Sequence, residues 1–102
     1  MAISKAFIET IAIIAYRQPI SRSEIEFIRG VDSSGVLKTL LMKNLIKISG
    51  RSNTPGRPLL YKTTQQFLEY FGLNSLNDMP KMKEIEQLLD TEEQNQSQIK
   101  VF

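Results

Sequence analysis

Ten residues between two short apolar runs constrain this chain more than any other feature: SGRSNTPGRP, residues 49–58. Glycine and proline at these positions interrupt both the helical and the sheet hydrogen-bond pattern, so the segment is a loop. Before it, residues 45–48 (Leu-Ile-Lys-Ile) alternate as a strand does; after it, residues 59–62 (Leu-Leu-Tyr-Lys) form a second strand. Upstream, residues 34–44 place Val36, Leu37, Leu40 and Leu41 at helical spacing, and Asn44 ends the run. A helix leading into a two-stranded ribbon with a basic tip is the pattern of a winged helix. The expected fold is therefore α+β, mostly α: a winged helix-turn-helix with a small antiparallel β-hairpin wing.

The segments before the hairpin supply the remaining helices. Residues 4–16 carry Phe7, Ile8, Ile11, Ala12, Ile14 and Ala15 on a wide apolar face, which suits a helix almost wholly inside a small bundle. Ile13 lies partly off that face and, with Tyr16, is a candidate for contact with a partner. Pro19 ends this helix. Ser21-Arg22-Ser23-Glu24 is a capping box, with Ile20 and Ile25 placed as a hydrophobic staple. It opens a short second helix over residues 22–29, closed by Gly30. Asp32, Ser33 or Ser34 caps the third helix.

Beyond the hairpin, Thr63 and Gln66 form a second capping box for a fourth helix that starts at Thr63 or Thr64. Phe67, Leu68, Tyr70 and Phe71 add aromatic mass to the core, and Gly72 with Leu73 reads as a Schellman end. Residues 1–80 are thus expected to form the winged-helix domain. The remainder, residues 81–102, holds three bases and five acids and is expected to be an acidic tail, helical over 81–90 and disordered after that.

Composition removes most chemistry. The 102 residues include no cysteine and no histidine, which excludes thiolate or imidazole metal sites and Ser-His or Cys-His catalysis within this chain. The acidic pairs Glu24/Glu26 and Glu84/Glu86 lie two apart on helices, where side chains do not face each other. Neither an enzyme nor a cofactor is expected. The longest apolar run, residues 11–16, is too short to span a bilayer, so no membrane association and a cytoplasmic location are expected.

Two binding classes remain. The net charge is only +2, but residues 44–64 carry Lys47, Arg51, Arg57 and Lys62 and no acid. Arg51 and Arg57 at the wing tip are candidates for weak, salt-dependent contact with DNA phosphates. The third helix, however, offers Ser34, Gly35, Lys38, Thr39 and Met42 outward and no arginine, a poor set for reading base edges. Asp32 at its start also opposes a phosphate. For protein binding, Ile13, Phe27, Met42, Leu59 and Tyr61 are large apolar residues that periodicity does not send to one core, and the short sheet has an edge open to a further strand or helix.

Three pieces in order carry a resemblance: AIIAYRQPI–SR–EI–IRGV (residues 12–31), GRSNTPGRPLLY (50–61) and FLEYFGLNSL–D–P (67–80). Together they resemble the second of the two tandem winged-helix domains of the segregation and condensation protein B (ScpB) family. The family's first winged domain has no counterpart here, so the chain is expected to be a C-terminal portion beginning at a domain boundary. The resemblance implies a non-catalytic accessory subunit of a bacterial SMC–kleisin condensin complex, cytoplasmic and nucleoid-associated. Such a subunit binds the kleisin ScpA, and through it an SMC ATPase, in chromosome condensation and segregation. It also implies a homodimer, formed mainly through the first domain. The alternative from the residues alone is a winged-helix transcriptional regulator.

Overall fold

The computed structural model describes residues 4–73. Along the chain run α1 (Lys5–Arg17), β1 (Ile20–Ser21), α2 (Arg22–Arg29), α3 (Ser34–Met42), β2 (Ile46–Arg51), β3 (Leu59–Thr63) and α4 (Gln65–Tyr70). Helices α1–α3 and a three-stranded antiparallel sheet of order β1-β3-β2 make a winged helix-turn-helix. The expectations for residues 74–102 lie outside the described residues.

Helix α1 is the central element. Ser4 caps it by accepting from the Phe7 amide, and Phe7 and every residue from 10 to 15 are buried. Ile13 is among them, only 2% exposed, and packs into the core cluster with Ile25, Leu40, Leu45 and Phe67. It is therefore no surface residue. A helix covered by α2, α3 and β3 has no off-face position, because its whole circumference is enclosed along this length.

The start of α2 matches the capping box in outline. Ser21 Oγ accepts from the Glu24 amide at 3.3 Å and donates to Glu24 Oε1 at 3.1 Å, so the glutamate reaches the hydroxyl rather than the amide. Ile20 and Ile25 are both fully buried. Ile20 and Ser21 also pair with Tyr61 and Leu60 as β1, a strand too short to show any alternation in sequence. Gly30 (φ +76°) and Gly72 (φ +67°) occupy the left-handed positions after α2 and α4. At the second, Leu73 N–H donates to Leu68 O and Gly72 N–H to Glu69 O, the two bonds of a Schellman end.

Helix α3 stops at Met42, two residues short of its expected end. Asn44 sits in the left-handed region (φ +58°), and the amides of Asn44 and Leu45 donate back to Leu41 and Leu40. Asn44 thus ends the helix from beyond it. Strand β2 starts at Ile46 and runs on to Arg51, past the expected end at Ile48. A bulge explains the extension: Ile48 pairs with Tyr61 and Gly50 with Leu60, so Ser49 is extra and the ladder continues beyond it. The fourth helix is capped by Thr64, which accepts from the Phe67 amide at 3.2 Å. Thr63 ends β3 instead, donating from its amide and hydroxyl to Gln18 Oε1.

Candidate functional site, the surface from α2 to the wing

The outward side of α2 and the return strand of the wing share one continuous surface. A shallow depression of 410 Å³ is lined by Arg22, Ser23, Glu26, Pro58, Leu59 and Tyr61. A second, of 560 Å³, is lined by Arg22, Glu26, Phe27, Gly30, Val31 and Asp32. Arg22 and Glu26 belong to both and join them. Phe27 stands at 89% exposure beside this surface, and Val31 in the helix-turn-helix turn at 53%. Phe27 is out because Ile25 and the i−4/i+4 geometry of α2 fix which side faces the core.

The charges along the surface are paired. Arg22 Nε lies 3.2 Å from Glu26 Oε2, one turn away, and Arg22 Nη2 lies 3.9 Å from Asp32 Oδ1. Glu26 Oε2 also accepts from the Ser33 amide at 2.8 Å, and Asp32 Oδ1 from the Ser34 amide at 2.8 Å. Donation from the Ser34 amide first, and from its hydroxyl second, holds the Asp32 carboxyl below its ordinary value, with Arg22 adding to the effect. The Ser33 amide just before α3 and the Ser34 amide, its first, are thereby answered from within the chain. Behind them, the nearly covered Arg29 side chain bonds Glu9 Oε1 at 3.1 Å and Ser33 Oγ at 2.7 Å, tying α1, α2 and α3 together.

The candidate apolar residues divide. Phe27 and Leu59 lie on this joined surface; Tyr61 lines it by an edge but is only 8% exposed, because Ile20 and Ile48 flank it in the sheet. Tyr61 and Ile13 are core residues. Met42 is 75% exposed on α3 and lines neither depression. At the wing, Arg51 and Arg57 are both exposed, and Arg51 Nη1 donates to the Arg57 carbonyl at 2.9 Å. Val31 was absent from the sequence candidates, since a valine in a turn has no periodicity to betray it. The Arg22/Glu26 spacing of four was the available sign of the charged bridge. Among the described residues no helix is long and apolar enough to cross a membrane.

This chain's similarity to known proteins is extensive. The family model described as "Segregation and condensation complex subunit ScpB" matches residues 1–82. A segregation and condensation protein B of Syntrophotalea carbinolica is 55% identical over 86 residues, 84% of this chain and 44% of that protein. Among solved structures, ScpB from Mycobacterium tuberculosis superposes with a TM-score of 0.68 at 36% identity, covering 72% of this chain and 46% of the other. A conserved hypothetical protein from Chlorobium tepidum gives a TM-score of 0.66 at 41% identity, covering 70% and 44%. The chain spans under half the length of the relatives it matches. With a family model over most of its residues and relatives at this identity, the chain belongs to the family of segregation and condensation complex subunit ScpB.

Proposed function

We propose that this chain is a non-catalytic accessory subunit of a bacterial SMC–kleisin complex, acting in chromosome condensation and segregation at the nucleoid, and that it binds the kleisin ScpA. Residues 1–80 are the binding domain, and residues 81–102 a tail outside it. The partner segment lies along the surface from α2 to β3, with Phe27 and Leu59 as its apolar contacts and Met42 as an outlying one. The observation that carries this reading is Phe27, a large aromatic ring 89% exposed beside a joined pair of depressions. Aromatic residues so placed are frequent anchors of protein interfaces.

A transcriptional regulator is the weaker reading. The outward set on α3 has no arginine, Thr39 Oγ1 is committed to the Gly35 carbonyl, and Asp32 occupies the helix start. Calorimetric titration of the chain with the central segment of ScpA tests the proposal. Phe27→Glu is expected to abolish binding and leave the thermal midpoint unchanged, since the ring supports little of the fold. Normal binding by Phe27→Glu and Leu59→Glu together would show that the surface is wrong.

A further inference from the structure

We infer a second binding surface, for the phosphate backbone of duplex DNA, on the α3 and wing half of the molecule and centred on Lys47 and Lys62. It does not depend on the kleisin reading. The first ground is how charge divides between the two halves of the fold. Residues 33–68, which build α3, β2 and β3, hold six bases and no acid: Lys38, Lys43, Lys47, Arg51, Arg57 and Lys62. Of the acids among the described residues, Glu9, Glu24, Glu26 and Asp32 precede them, on α1, α2 and the turn, and Glu69 follows them on α4. Among the described residues, none of the six bases is in an ion pair, whereas Arg22 and Arg29 both are.

The second ground is register. Lys47 and Lys62 are direct cross-strand partners in the β2–β3 ladder. Their neighbours Ile46 and Tyr61 point to the core and are buried, so the two lysines share the opposite, outer face of the sheet. Two like charges facing each other across a ladder destabilise it. Neither lysine is in an ion pair among the described residues, and an anion lying across the sheet would relieve them.

A phosphate backbone suits this surface better than an acidic peptide. The charges are spread over a helix and two strands. Four of the six are lysines, point charges that ask for no fixed fork geometry. With no base-reading set on α3, the contact is independent of sequence. The pair also moves the contact away from the wing tip alone, where the Arg51 guanidinium already holds the Arg57 carbonyl.

The test is fluorescence anisotropy of the full chain with a labelled mixed-sequence duplex, titrated from about 50 to about 200 mM salt. The wild-type chain is compared with Lys47→Gln/Lys62→Gln and with Arg51→Ala/Arg57→Ala, and poly-glutamate serves as a competitor. In the lysine variant the slope of log affinity against log salt is expected to flatten by about 1.8, from two lost phosphate contacts. Its thermal midpoint is expected at or above wild type, because a repulsion has been removed, and binding is expected to survive a change of duplex sequence. Four results each overturn the assignment: no duplex binding at low salt, a slope that moves only in the arginine variant, a lowered midpoint in the lysine variant, or poly-glutamate binding tighter than duplex.

Discussion

One carboxylate oxygen of Glu26 meets both Arg22 on its own helix and the Ser33 amide at the start of the next. Asp32 repeats the arrangement with Ser34, so two acids answer the amides at the start of α3. Of the three expected caps, Asp32, Ser33 or Ser34, it is Asp32 whose side chain takes an α3 amide, and the Ser33 hydroxyl takes none. Ser33 is free of that task because Arg29 takes its hydroxyl. The depressed Asp32 carboxyl gives this contact a pH dependence with a definite sign. A group whose folded-state value lies below its unfolded one adds stability above the unfolded range, and that stability is lost as pH falls through the folded-state value. Asp32→Asn is therefore expected to be less stable than wild type at neutral pH. The difference in urea midpoint should begin to narrow near about pH 4 and close only below the lower folded-state value, with Arg22 and Glu26 left in place. A difference that stays constant with pH would show that the ionised carboxylate is not what holds Ser34.

At the scale of elements, local signals of a few residues placed the helix ends well. The Ser21 box, the Gly30 and Gly72 ends and the Asn44 stop all act through backbone amides and carbonyls within five residues, which a sequence displays directly. Ser21→Ala should cost about 1 kcal/mol in chemical denaturation, the usual size of a lost N-cap. A wild-type midpoint would mean that Ser23 or solvent replaces it. Strand β1 was invisible because two residues have no period. The bulge at Ser49 was equally hidden, since its cause is the partner strand: Leu60 and Tyr61 are adjacent on β3, while their partners Gly50 and Ile48 are two residues apart on β2. The fourth helix shows the same limit. Thr63 and Thr64 are the same residue type, and only the reach of Gln18 to Thr63 leaves Thr64 as the cap.

Across the described residues, α1 is the post against which α2, α3 and β3 pack. Ile14 is fully buried within it, and Ile14→Ala is expected to cost about 2–5 kcal/mol in urea unfolding, against less than about 0.5 for Met42→Ala on the surface. Equal costs would mean that the core is not centred on this helix. The winged-helix class, the order of its parts and the absence of thiol or imidazole chemistry were all legible in the residues, because periodicity, caps and composition are local or additive properties. Family membership was legible in three runs of sequence. Which apolar side chains stay outside was not. Ile13 and Phe27 look alike as large apolar residues near the edge of a helical stripe, yet one is enclosed on every side and the other stands in solvent. Burial depends on what packs across from a residue, and α2, α3 and β3, which pack on α1, bring their side chains into one core cluster with Ile13. The same holds for charge: the list of bases is in the sequence, but that Lys47 faces Lys62 follows from a register only the folded sheet sets.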